Sequence, residues 1–180
     1  MDSDKGLEWR ETGRKEILRT RVFTVTERMS ESPDGHKGTY IVNDAPDWVI
    51  VIPEHEGNFL MVRQWRHGEL SLSTEFPGGV MDSGESPEEA ARRELKEETG
   101  ATAGKLSLLG SLNPNPALFS NHVHIFYATD LEFSGKQDLD ADEFLHYAQM
   151  PKAEVLRRMG TKEFHHALMT AAMGLYMTRA

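Results

Sequence analysis

Apolar and polar residues alternate over much of the first third of the chain. Between Ile17 and Met29, β-branched and aromatic residues interleave with Arg, Thr and Glu, which predicts one partly exposed strand. Pro33-Asp34-Gly35 supplies a turn, since proline presets φ and glycine tolerates positive φ, and Thr39 to Val42 returns as the partner strand. A second hairpin follows. Trp48 to Pro53 is apolar, Glu54 to Asn58 is a polar turn around Gly57, and Phe59 to Trp65 resumes the strand pattern. Leu70 to Phe76 reads as another short strand.

The pattern changes at Ser86. Ser86-Pro87-Glu88-Glu89 has the spacing of a capping box, with proline at the first helical position, where its missing N–H costs nothing. Good helix formers continue to Thr99, and Gly100 stands where a C-terminal glycine would end the helix. Leu106 to Leu112 and Val123 to Ala128 again read as strands, joined through Asn113-Pro114-Asn115-Pro116. Asp138 to Glu143 is an acidic loop. Two helices close the chain, Lys152 to Met159 and roughly Glu163 to Met177, with a break at Gly160. The Met, Leu and Ala stripe of the last one predicts core packing. Strands, one helix, strands, then terminal helices predict an α+β protein, with a mixed sheet covered by helices.

The 180 residues suit one domain that can bury a core without staples. The chain has no cysteine, which excludes disulfides, thiolate-ligated metals and a thiol nucleophile. Asp and Glu number 29 against 20 Lys and Arg, and a net charge of −9 opposes binding to nucleic acid or anionic membranes. The start, Met1-Asp2-Ser3-Asp4-Lys5, lacks the basic and apolar regions of a signal peptide, and the longest apolar runs are far shorter than a membrane span. A cytoplasmic location is therefore expected.

Some of the carboxylates fall in a pattern. Gly79 is followed after five residues by Glu85, after seven more by Arg93-Glu94-Leu95, then by Glu97-Glu98 and Gly100. On a helix, Glu94 and Glu98 stack at i and i+4, with Glu97 flanking them. Three carboxylates so close repel one another unless a cation intervenes, and oxygen ligands suit Mg²⁺ or Mn²⁺. Gly78 and Gly79 let the loop backbone approach such a cation. A Glu-rich helix by itself is commonly just a solvated face. The glycine loop, the cap and the spacing together favour a metal site.

This stretch resembles the Nudix box, the signature of the Nudix hydrolases, departing from it only at Ala101, where a larger aliphatic residue is usual. The resemblance implies an α/β/α sandwich around a mixed sheet, with N-terminal antiparallel strands that exchange in a homodimer. It divides the chain into an N-terminal β extension over 1–45 and a catalytic domain over 46–180. It implies hydrolysis of a nucleoside diphosphate linked to another moiety, dependent on Mg²⁺ or Mn²⁺. By position, Gly78 (through its carbonyl), Glu94, Glu97 and Glu98 would be metal ligands. Arg93 would point away from them and pair with Glu85, while Gly79 and Gly100 would shape the loop and the helix end. Glu143 would be the general base, with Glu97 as the alternative.

Outside the box, Val62-Arg63-Gln64-Trp65-Arg66-His67-Gly68 and Thr74-Glu75-Phe76-Pro77-Gly78-Gly79 resemble the ADP-ribose and nucleoside diphosphate sugar pyrophosphatases. In that branch Arg66, Gln64 and Glu75 would lie near the substrate, Pro116 would mark ADP-ribose preference, and Tyr40 would stack on the base, with Trp9 and Phe23 as weaker candidates. His122 and His124 read as structural, with phosphate contact as the alternative. The implied partners are a small nucleoside diphosphate and a second copy of the chain, with neither nucleic acid nor membrane. Two other readings stay open: a nucleotide-sanitising or dinucleoside polyphosphate hydrolase, and a non-catalytic ligand sensor.

Overall fold

The N-terminal third pairs with itself. A short 3-10 turn precedes an antiparallel meander of β1 (Arg10–Arg19), β2 (Thr24–Glu31) and β3 (Lys37–Asp44). This computed structural model describes residues 2–133, 135–141 and 143–179. The single strand expected between Ile17 and Met29 is two strands, broken at Thr20–Phe23. There the Thr20 hydroxyl accepts the N–H groups of Val22 and Phe23 and donates to the Phe23 carbonyl. A side chain that satisfies the backbone locally ends the strand, and alternation alone does not reveal it. The β2–β3 turn falls at Pro33-Asp34-Gly35 as expected, with Gly35 at φ 87°.

The chain divides into two units. One comprises Met1–Pro46 with Asn113–His122, the other Asp47–Leu112 with Val123–Ala180. Within the first, Asp44 accepts hydrogen bonds from Thr26 and Ser120, both at 2.7 Å, and from Arg28. The segment around Pro116 is braced by its own asparagines. Asn113 accepts from the Asn115 N–H and donates to the Phe119 carbonyl.

The second unit holds a six-stranded sheet of β4 (Trp48–His55), β5 (Asn58–Arg66), β6 (Ser71–Glu75), β7 (Ala101–Leu112), β8 (Val123–Phe133) and β9 (Leu145–Pro151). The order is β6-β5-β4-β8-β7, with β9 on the other side of β5. β4 and β8 run parallel and the other pairs antiparallel, so the sheet is mixed. The β4–β5 turn is tight, with Glu56 and Gly57 both at positive φ. Strand β9 is missing from the sequence reading because its residues are largely exposed and show no clean alternation. Its place is set by the β5 edge it joins.

β4 is buried on both faces, as its unbroken apolar run requires. Val49, Val51 and Leu60 face Ala90, Ala91 and Leu95 of α1 (Pro87–Thr99). Ile50, Ile52, Phe59 and Met61 face Val155 of α2 (Lys152–Arg158), Met169 and Met173 of α3 (Ala167–Arg179), and Phe164 between the two helices. This is the expected three-layer sandwich. α3 begins four residues later than the periodicity suggests. Residues 161–164 form turns, and the His166 ring accepts the Leu168 N–H at the helix start.

Candidate active site

α1 begins as its sequence dictates. Ser86 accepts the Glu89 N–H while Glu89 accepts the Ser86 N–H, and Gly100 ends the helix at φ 71°. A helix held at both ends presents Glu94 and Glu98 to the Gly78–Gly79 loop. Both carboxylates are buried, Glu98 to 2% exposure. The Gly78 N–H donates to Glu98 at 2.8 Å. A Cβ on Gly79 would lie 2.5 Å from a Glu94 carboxylate oxygen, and one on Gly78 would overlap the Val49 carbonyl. The two glycines are thus required by close approach.

Burial dominates the electrostatics. It pushes Glu94 up to about 7, against the opposing Arg93 guanidinium. It pushes Glu98 up to about 8, against the Gly78 N–H, and the charges of Glu94 and Glu143 add to the rise. Arg93 departs from the sequence reading. It grips Glu85 with two hydrogen bonds of 2.9 Å, as expected. It does not point away from the other carboxylates, because its Nη1 also donates to Glu94 at 2.9 Å and to Glu97 at 3.0 Å. Glu85 is held below the usual carboxylate range by that guanidinium.

Glu143 lies on the segment before β9, exposed, closing a turn with Asp140. The segment is tied to the end of α1. Gln137 donates to the Glu98 carbonyl at 2.6 Å, and the Asp138 N–H donates to the Glu97 carbonyl at 2.9 Å. Sequence reasoning assigned Gln137 no role, since nothing local marks a side chain that caps a helix forty residues away. A cleft of about 530 Å³ opens here, lined by Arg93, Lys96, Glu97, Lys136, Gln137 and Asp138.

On the same sheet face, Val62, Gln64 and Arg66 alternate along β5. Arg66 donates through Nε and Nη2 to Glu75 at 2.8 and 2.6 Å. Glu75 is fully buried, and that would raise its pKa, but the guanidinium outweighs burial and holds it below the usual range. His166, which the sequence reading passed over, is near enough to feel both charges, and burial lowers its pKa. Tyr40 and Pro116 belong to the first unit. Tyr40 is half-exposed and packs edge-on against Trp9, with ring centroids 5.6 Å apart. Phe23 packs on Phe119. His124 bridges Ser111 at 2.7 Å and Asp47 at 3.1 Å, a cross-strand structural role.

The donor set fits a hard divalent cation. Two buried carboxylates that desolvation would leave protonated near neutrality need a positive charge to stay ionised. In the present side-chain arrangement Arg93 lies against Glu94 and Glu97, and no three acidic or histidine side chains among the described residues converge on a point.

Comparison with known proteins identifies relatives that cover most of the chain. The family model of the NUDIX domain matches residues 44–171. The chain is 31% identical to an ADP-ribose pyrophosphatase of Bacillus subtilis (strain 168), over 91% of this chain and 89% of that protein. It is 30% identical to the ADP compounds hydrolase NudE of Escherichia coli (strain K12), over 88% and 86% respectively. A crystal structure of an ADP compounds hydrolase superposes with a TM-score of 0.84 at 29% identity, covering 95% of this chain and 93% of that one.

Proposed function

This chain belongs to the Nudix family and is a hydrolase of it, and on that premise we propose that it cleaves the diphosphate of ADP-ribose or of a nucleoside diphosphate sugar. The products are a nucleoside monophosphate and a sugar phosphate. The observation that carries the chemistry is the pair of buried carboxylates, Glu94 and Glu98, turned to the glycine loop. The substrate class is supported by relatives of nearly full length that are named for ADP-ribose and ADP compounds.

Glu94, Glu97, Glu98 and the Gly78 carbonyl would hold Mg²⁺, with Mn²⁺ as the alternative. A cation held there would neutralise the diphosphate and lower the pKa of a water. Glu143 accepts the proton of the attacking water. Its exposed carboxylate is close enough to add to the pKa of Glu94 and Glu98. Glu97 is the alternative base. Arg66 binds the substrate phosphates with the edge of its guanidinium that Glu75 leaves open. Gln64 and Glu75 orient the same end of the substrate. Tyr40 would stack on the base and Pro116 would mark ADP-ribose preference, both residues of the first unit. That unit would form the homodimer through exposed apolar residues such as Ile17, Leu18, Val22 and Ile41. The same reading keeps the protein in the cytoplasm, with its nucleotide substrates.

The test is a panel of ADP-ribose, ADP-glucose, UDP-glucose, GDP-mannose and deoxynucleoside triphosphates with Mg²⁺, scored as nucleoside monophosphate resolved by ion-exchange chromatography. Turnover of at least one diphosphate sugar is expected. Turnover confined to the triphosphates would replace this reading with the sanitising one.

A further inference from the structure

The sheet face opposite α1 carries a second cavity, of about 360 Å³, between β5, β6, β9 and α2. Register explains its lining. Met61 stands opposite Ala148 and Arg63 opposite both His146 and Thr74, so these side chains share one face, and Met150 continues it. Met61, Ala148 and Met150 give the cavity apolar lining, and Arg63, His146 and Arg158 line it with them.

The two guanidiniums are unequally satisfied. Arg158 is pinned. It donates to Glu154 at 2.8 Å and to Glu163, and it lies 4.7 Å over the Phe164 ring. Among the described residues Arg63 makes two side-chain contacts, to Thr74 Oγ1 and to Glu163 Oε1, both 3.4 Å. Both are long for N–H···O bonds, so the protein holds this half-exposed guanidinium only loosely. The Glu163 carboxylate thus bridges the two guanidiniums that line the cavity, held only loosely by Arg63.

We propose that this cavity binds a small apolar carboxylate, whose body lies on Met61, Ala148 and Met150 and whose anionic group takes the Glu163 position on Arg63. The protein's own carboxylate shows that the geometry accepts one. The backbone of Glu163 is itself tied to β6. The Glu163 carbonyl accepts the Thr74 N–H at 2.8 Å, and Thr74 precedes the Glu75 that grips Arg66. The assignment does not depend on which diphosphate the enzyme hydrolyses.

The test is an NMR titration of the full-length protein with benzoate, without divalent cation, so that the carboxylate helix offers no cationic site. Saturable shifts at the amides of Met61, Arg63, Thr74 and Ala148 are expected. Arg63→Gln should weaken binding about tenfold or more, the worth of one charge-assisted hydrogen bond. Glu163→Gln should tighten it several-fold, because the competing carboxylate is gone. A purely structural Glu163 would not do this. Benzyl alcohol, which lacks the charge, should bind about tenfold more weakly than benzoate. Absence of saturable shifts, or binding that neither variant alters, would overturn the proposal. Tighter binding of phenyl phosphate than of benzoate would overturn the carboxylate assignment.

Discussion

Glu75 keeps its charge in a fully buried position because Arg66 meets it with two parallel hydrogen bonds. Removing the cation alone strands a buried carboxylate. Arg66→Ala is therefore expected to cost about 3 kcal/mol or more in urea unfolding. Arg66→Lys restores the charge but not the fork, so it should recover part of that stability while KM stays raised about tenfold. Glu98→Gln removes a buried carboxylate that desolvation already disfavours, so the fold should survive while turnover falls by about 10³-fold or more. Glu143→Gln should lower kcat by about 10²-fold or more. A small loss there, with a large one for Glu97→Gln, would move the base to Glu97. Sequence spacing picked out Glu94, Glu97 and Glu98, since i, i+3 and i+4 positions share a helix face, whereas Glu75 and Glu143 came only from the resemblance. It did not reveal that Arg93 reaches Glu94 and Glu97, because a long side chain chooses among partners only once the loop bearing Glu85 is folded against it.

At the scale of elements, α1 was the most legible part of the chain, because its signals are local. Cap, N1 proline and terminal glycine all lie within the segment they govern. Ser86→Ala should destabilise the protein by about 1 kcal/mol, lowering Tm by about 2–4 °C in a thermal scan. Activity per folded molecule should change little, since Glu94 and Glu98 lie two or more turns from the cap. The misses were equally physical. β9 has no strand pattern of its own and exists because β5 offers an unpaired edge. The break between β1 and β2 comes from the Thr20 hydroxyl, a residue type that strands also favour. The start of α3 is delayed because the Glu163 and Gly160 backbone groups bond outside the helix, to Thr74 and to Phe164.

On the scale of the whole molecule, Glu54 joins β4, β8, α2 and α3. It accepts from Lys152 at 2.7 Å, Tyr127 at 2.8 Å and Tyr176 at 3.0 Å. Burial pushes its carboxyl up, but these donors outweigh it and hold the pKa below the ordinary 4.5. A lowered folded pKa means that the stabilisation is complete above about pH 4.5 and drains away as pH falls through the folded value. Glu54→Gln should thus be less stable than the parent by about 1–3 kcal/mol at neutral pH, and the gap should narrow in acid, read by urea unfolding at both. The proposed homodimer predicts a sedimentation mass of about twice 20.3 kDa. It also predicts that charges introduced at Ile17 and Ile41 shift it towards one. By itself the sequence determined the layered α+β class and α1 with its caps and its Glu94–Glu98 face, because each of these is written in short-range periodicity and spacing. Only the tertiary structure decided the pairing of β9 with β5, the Arg66–Glu75 clamp, the anchoring of the Glu143 segment by Gln137, and the second cavity behind β5. Each of these depends on residues far apart in the chain whose side chains meet only after the sheet has formed.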